Sequence, residues 1–388
     1  MGEGARTDIM NPTISLRRGL GPDFVILGVT ALILTIGIVM VTSSGFIIAS
    51  GKFGDGFYYT KKQVLAIVIG LGFMYLFSII NPAFWKRIAA HLMIIALISL
   101  GLVFVPALGV EMGGSHRWLK LPLGFFFQPS EFAKFALVIF MAASISKKAE
   151  SIKDFATGFL PHVLVMGVVV GLILLQPDFG NAVIITLVSF LMLFVAGVRV
   201  QHLLGSLVLC LPILFHLALS APYRLARLKT FIDPLSDPLK AGWQVFQSLT
   251  AFGCGGVWGA GIGKGLQKLF YLPQPHTDFI FAVVGEETGL VGVVVLILLF
   301  YVLICRGLVA SIRAKDPFSR YVAFGITTLI GLQAIVNMAV AMGILPTKGL
   351  PLPLVSVGGT SVIMNLAGIG ILMAASKSSE KEPREARS

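Results

Sequence analysis

The chain has 388 residues, 56% of them hydrophobic and only 12% charged, with a mean hydropathy of +0.91. Apolar runs of roughly 20 residues recur along its whole length, which excludes a soluble globular domain and specifies an all-α, polytopic integral membrane protein. A net charge of +12 would suit nucleic acid, but Lys and Arg sit at the ends of apolar runs rather than in one patch, so no nucleic-acid partner is expected; Cys210, Cys254 and Cys305 have neither disulfide nor zinc spacing.

In chain order, a tail over 1–22 carries Arg6, Arg17 and Arg18. Spans are then predicted at 24–44, 62–81, 85–106, 131–146, 157–175, 178–197, 201–220, 279–304, 319–342 and 356–375, about ten in all, followed by a tail over 376–388. No small-residue cleavage site follows the first run, which reads as a retained span and not a signal peptide. The whole chain is expected to be one membrane domain. Connections on the N-terminal side hold Lys86, Arg87, Lys147, Lys148, Lys153, Arg199, Arg306, Arg313, Lys315 and Arg320, and both tails are basic; the opposite side is poorer in cations. The positive-inside rule therefore predicts both termini in the cytoplasm.

On that topology the polar, Gly- and Pro-marked segments fall outside: 111–130, 176–180, 221–277 and 345–361. No cytoplasmic connection is long enough for a nucleotide-binding domain, which disfavours an ATP-driven pump, and no inverted repeat is evident. The extracytoplasmic loop over 221–278, between spans 7 and 8, contains an amphipathic segment at 242–252 and a glycine-rich run at 253–265, read as permitting tight turns and close approach to a ligand. Its cations, Arg224, Arg227, Lys229, Lys240, Lys264 and Lys268, suit either an anionic headgroup or ordinary lipid phosphates. The loop ends in Tyr271-Leu-Pro-Gln-Pro-His-Thr-Asp-Phe-Ile-Phe-Ala-Val-Val-Gly-Glu-Glu287. There Asp278 meets an apolar span, either as the cap of its helix or as a functional carboxylate, and Glu286 and Glu287 lie about two turns deeper on roughly the same face.

Seven blocks carry a family resemblance: Gly114-Ser-His-Arg-Trp118; Gln128-Pro-Ser-Glu-Phe-Ala-Lys134; Gln176-Pro-Asp-Phe-Gly180; Tyr223-Arg224 with Arg227; Gly242-Trp-Gln with Gln247-Ser248; His276-Thr-Asp-Phe-Ile-Phe-Ala with Gly285-Glu-Glu; and Leu345-Pro-Thr-Lys-Gly-Leu-Pro-Leu-Pro. Together, and in the right order over almost the whole chain, they resemble the SEDS (shape, elongation, division, sporulation) family. Pro346-Thr-Lys-Gly349 looks more like its division branch than its elongation branch. His116, Trp243, Gln274 and Val357 depart from the commoner residues, and Gln274 argues against an indispensable carboxylate or metal ligand at that position.

The resemblance implies a ten-span peptidoglycan glycosyltransferase that polymerises lipid II into glycan strands, working with a class B penicillin-binding protein and other division proteins. An acceptor hydroxyl that displaces undecaprenyl pyrophosphate needs a general base and cations for the leaving group, and a single inverting displacement needs no second carboxylate as nucleophile. Asp278 is the expected base. Arg117, Lys134, Arg224 and Lys348 are expected around pyrophosphate, although Lys134 has Glu131 and Ser130 on its own helical face and is equally placed to form an anchoring ion pair. Gln244, Gln247 and Ser248 either bind sugar hydroxyls or seat the interfacial helix. Trp118 and Trp243 stack on sugars or, the favoured reading, join the interfacial belt. Asp178 either caps the sixth span or joins the site.

Glu286 and Glu287 are expected to orient Asp278 through hydrogen bonds or to bind a partner span. His276 and Thr277 flank the acid, His276 as a solvent-exposed loop histidine; Ser356 is a further supporting residue, and Gly358, Gly359, Ser361 and Asn365 open the last span with small polar residues suited to close packing. No cofactor is indicated, and a divalent cation (Mg or Mn) bridging pyrophosphate oxygens stays open. A lipid II flippase or transporter, or a non-catalytic scaffold of the division machinery, are the alternatives.

Overall fold

A computed structural model describes residues 23–112, 115–120, 126–148, 150–220, 242–269, 272–347 and 349–377. Both tails, Arg224 and Lys348 lie outside the described residues. The helices are α1 (Phe24–Phe53), α2 (Tyr58–Ile79), α3 (Pro82–Leu102), α4 (Pro129–Lys147), α5 (Leu160–Leu175), α6 (Phe179–Val195), α7 (Val200–Ser220), α8 (Trp243–Gly255), α9 (Ile280–Arg313), α10 (Pro317–Ala341) and α11 (Gly359–Lys377). Among the described residues, eight helices are long and apolar enough to cross a membrane: α1 to α4, α5 with the π-turn Phe155–Phe159 that leads into it, and α9 to α11; α6 and the start of α7 are shorter apolar helices. The fold is an all-α polytopic membrane bundle.

Helix starts follow local chemistry. Asp23, Asn81, Asp178 and Asp316 accept backbone N–H bonds from the first turns of α1, α3, α6 and α10, and Pro occupies an early position of α3, α4 and α10, where its missing N–H costs nothing. Asp23 also receives Arg306 Nη2 at 2.6 Å, tying the start of α1 to α9. Burial sorts the spans. The most apolar windows of α4, α10 and α11 are each 78% buried, against 33% for α2, α3 and α5, so α4, α10 and α11 form the centre and the others turn a face outward.

The observed bounds differ from the predicted spans mainly in α1 and α9, which each run well beyond their predicted ends at 44 and 304. A second difference is a small antiparallel sheet of β1 (Gly109–Met112), β2 (Ser115–Lys120) and β3 (Phe126–Phe127), with β2 in the middle. Its signal was in the sequence, since Gly113-Gly114 between two short runs is a hairpin pattern.

α9 is not one continuous helix. Its 34 residues would extend about 51 Å against a hydrocarbon core of ~30 Å. Gly289 breaks it with φ 65° and ψ −165°, a conformation essentially confined to glycine. The freed backbone groups are met by the glycine-rich run: Ala260 and Gly261 donate to the carbonyls of Glu286 and Glu287 at 2.9 and 3.0 Å, and Leu290 N–H donates to Gly256 O at 2.9 Å. The close approach expected of these glycines is therefore to the α9 backbone, where a Cβ on Gly259 would lie 2.3 Å from Glu287 O. A break inside a membrane span survives only where protein re-satisfies its polar groups.

Gly289→Ala should destabilise the protein by roughly 2 kcal/mol or more, because its Cβ would also fall 2.4 Å from Gly259 N. Gly263→Ala, with positive φ but nothing within 4 Å of the added Cβ, should cost less. Thermal unfolding of the two variants in one detergent ranks them.

Candidate active site at one end of the bundle

The stretch over 272–279 is folded against the loop over 349–357, and almost every tie is to the main chain. Ser356 Oγ donates to Thr277 O while accepting Leu352 N–H at 2.8 Å, Val357 N–H donates to His276 O at 3.0 Å, and Gln63 Nε2 of α2 donates to Ser356 O at 3.1 Å. Asn337 of α10 donates through Nδ2 to Asp278 O at 3.0 Å and to Leu350 O at 2.6 Å. The backbone of Asp278 is thereby held while its side chain stays half-buried. The N-cap position of α9 falls on Phe279 and carries no side-chain cap bond, so the capping alternative for Asp278 is not what the helix start uses. The carboxylate lies against the second loop, with Oδ2 3.4 Å from where a Cβ on Gly349 would stand.

His276 corrects the expectation of an exposed ring. It is buried and stacks on Tyr59 with centroids 4.3 Å apart. Tyr59 lies at the start of α2, distant in sequence, so the contact left no local signal. Burial, and secondarily the nearby Lys52 cation, depress its imidazole pKa from the usual 6.5 to about 4. His276 is thus a neutral ring at physiological pH and adds no cation beside Asp278. As pH falls from about 6.5 to 4, the unfolded chain takes up a proton that the folded ring refuses, so stability present above 6.5 is lost over that window, roughly 3 kcal/mol in all. Melting curves from pH 7.5 to 5 should show this loss, and His276→Phe should flatten it.

A second cluster adjoins the first. Lys134, 1% exposed, donates to Glu131 Oε1 at 2.7 Å and to Gln333 Oε1 at 2.9 Å, and Gln333 Nε2 continues to Pro351 O at 3.1 Å. This is the anchoring pair, extended by an amide of α10. Asp178 accepts from Asn181 Nδ2 at 2.8 Å and caps α6, with Ser130 Oγ 3.4 Å away. Arg117 of β2 donates through Nε to Gln176 O at 3.0 Å and through Nη2 to Pro177 O, docking the sheet on the turn before α6. Trp118, half-buried, sits opposite Val110 in the hairpin. Ser248 Oγ donates to Ala341 O, seating α8 on the end of α10, with Gln247 buried and Gln244 half-buried beside it. Gly358 and Gly359 lead into α11, whose Thr360 Oγ1 accepts Gln128 N–H at 3.2 Å.

Of the two roles expected of Glu286 and Glu287, the contacts include binding a neighbouring span, through Ser43 of α1 and Glu287. Glu286 Oε1 accepts the N–H groups of Leu266 and Gln267 at 2.6 and 3.1 Å, and Glu287 accepts Lys268 Nζ and Ser43 Oγ at 2.7 and 2.6 Å and Gly263 N–H at 3.0 Å. Both carboxylates are spent on folding the segment over 263–268 beside the α9 break. The signal that pointed to them was the cost of carboxylates two turns into an apolar span.

Sequence reasoning missed Gln63, Gln333 and Asn337, although an amide inside an apolar span is itself unusual and calls for a partner. No three His, Cys, Asp or Glu side chains cluster to hold a metal ion among the described residues. The described donor set does not make a protein-held cation site, and Mg or Mn would depend on phosphate oxygens for its remaining ligands.

A polytopic α-helical membrane protein with one half-buried acid, pinned by its backbone at an end of the bundle, is the class that this fold and site define. The profile of the FtsW, RodA and SpoVE cell cycle proteins matches residues 24–381, and the chain belongs to that family, the one its motifs resemble. It is 44% identical over 351 residues to the probable peptidoglycan glycosyltransferase FtsW of Geobacter metallireducens, covering 90% of this chain and 93% of that protein. It is 38% identical to stage V sporulation protein E of Bacillus subtilis, covering 92% and 97%. Among solved structures, a chain of a peptidoglycan synthase complex that coordinates polymerization and crosslinking matches with TM-score 0.78 and 29% identity, covering 94% of this chain and 100% of that one. The rod shape determining protein RodA of Thermus thermophilus matches with TM-score 0.67 and 27% identity, again over 94% and 100%. The greater likeness to proteins named FtsW agrees with the division branch expected from Pro346 to Gly349.

Proposed function

We propose that the chain is a peptidoglycan glycosyltransferase that polymerises lipid II at the outer face of the cytoplasmic membrane during division. One observation carries the reading: Asp278 is held by its backbone between two loops at the end of the bundle, with a half-buried carboxylate that the helix start does not use as its cap. In the reaction, Asp278 takes the proton of the acceptor sugar hydroxyl as that oxygen bonds to the donor's anomeric carbon, and the bond from that carbon to undecaprenyl pyrophosphate breaks with inversion.

Lys134 is spent on Glu131 and Gln333, and Arg117 donates to backbone carbonyls. Arg224 and Lys348 are therefore our candidates for stabilising the leaving pyrophosphate, Lys348 because it precedes Gly349 in the loop that Asp278 faces. An apolar cavity between α2, α3, α4 and α11, lined among others by Phe73, Trp85, Phe132 and Phe135, is suited to a lipid tail. The topology is the one expected from the charges, with both termini cytoplasmic, the site outward and the division septum as the working place. The partner is a class B penicillin-binding protein, a reading supported by the likeness to a chain of a peptidoglycan synthase complex.

The purified chain with such a partner should convert lipid II to glycan polymer. Transfer of the headgroup across vesicles without polymer formation would instead favour a flippase.

A further inference from the structure

We infer that Asn337 is a positioning residue for this reaction, setting the distance between Asp278 and the loop over 349–352. The inference rests on the reading of Asp278 as the base. Asn337 lies one turn from the end of α10 and is 1% exposed. A single amide group, Nδ2, donates to the carbonyls of Asp278 and Leu350, which belong to segments far apart in the chain. One turn earlier on the same helix, Gln333 Nε2 donates to Pro351 O while its Oε1 accepts Lys134.

Two amides spaced i, i+4 thus fix consecutive carbonyls of one loop to one helix face. The loop they fix contains Gly349, beside Asp278 Oδ2. α10 is a suitable ruler for this purpose, because it is one of the central helices, 78% buried in its apolar window, and has no break of its own. A general base must sit within hydrogen-bond reach of the proton that it abstracts, and a shift of about 1 Å can cost on the order of a hundredfold in rate. Asn337 touches no reacting atom in this arrangement. It acts through the main chain of Asp278 and of Leu350, so its loss changes the distance between the carboxylate and the loop that follows Lys348, the candidate for the leaving pyrophosphate, an effect on the transition state rather than on binding of the lipid-linked substrate.

The test compares Asn337→Ala with Asn365→Ala. Asn365 is equally buried on α11 but donates only to Ser361 within its own helix. Initial rates of lipid II polymerisation are measured with the class B partner present, at the same fraction of folded protein. Asn337→Ala is expected to lower kcat by about tenfold or more with KM for lipid II within about twofold, and Asn365→Ala to change neither beyond its loss of folded protein. Equal kcat effects in the two variants, or a rise in KM with kcat kept, would overturn the inference. Asp278→Asn, run alongside, separates the two levels: an inactive Asp278→Asn with a normal Asn337→Ala sinks the positioning role alone, whereas an active Asp278→Asn removes the base on which it rests.

Discussion

Asp278→Asn should lower lipid II polymerisation by about a hundredfold or more, with melting temperature and partner binding unchanged, since positioned acid and base groups contribute ~10²–10⁴-fold. The choice of Asn matters. Main-chain ties of this stretch run through the carbonyls of His276, Thr277 and Asp278, and an isosteric amide keeps them while removing the proton acceptor. Asp278→Ala should be equally inactive and nearly as stable, because the side chain is only half-buried and α9 does not depend on it for a cap. Gly349→Ala serves as a steric companion. Its Cβ would stand 3.4 Å from Asp278 Oδ2, an ordinary contact, so folding should be kept even if the acid's access to substrate narrows. Full polymerisation by both Asp278 variants would remove the general-base assignment, and simultaneous loss of melting temperature would turn Asp278 into a structural residue.

The residues that made this site legible were those whose chemistry is costly where they stand. A carboxylate closing a Pro-rich loop at the start of an apolar run marked Asp278, and Lys134 with Glu131 three residues before it marked a buried pair, because charge in an apolar span needs a reason. The apolar helices were legible for the same reason, since apolar runs bounded by cations carry their own signal, although of the ten expected spans eight of the described helices are long and apolar enough to cross a membrane and α6 and the start of α7 are shorter. What was not legible is pairing between distant segments. Tyr59 covers His276 from another helix, Ser43 reaches Glu287 from α1, and Gly259 meets Glu287 across the α9 break. A lone glycine inside an apolar run, such as Gly289, looks the same whether it continues a helix or ends one. The glycines over 253–265 had freedom to approach something closely, but composition cannot say whether that something is a ligand or a backbone.

Lys134→Met should be the most destabilising of the single changes considered, by about 3–5 kcal/mol, because it strands a buried carboxylate without its cation. Glu131 is fully buried, its Oε1 is the oxygen that Lys134 meets, and its Oε2 has no hydrogen-bond partner among the described residues. Glu131→Gln combined with Lys134→Met removes both charges at little change in volume, and most of the lost stability should return, as it does when buried ion pairs are replaced by neutral groups of similar shape. Chemical unfolding of the two singles and the double gives the coupling energy directly. The activity of the double variant then decides what Lys134 is for. With its side chain buried and its ammonium committed to Glu131 and Gln333, it has little surface to offer a pyrophosphate, so the double variant should keep polymerisation within about tenfold of the natural protein. A stable double variant with no polymerase activity would place the Lys134 cation at the substrate after all. A stable, active one assigns the pair to architecture: it locks α4 to α10 at the turn where α10 also holds Pro351, and hence the loop that faces Asp278.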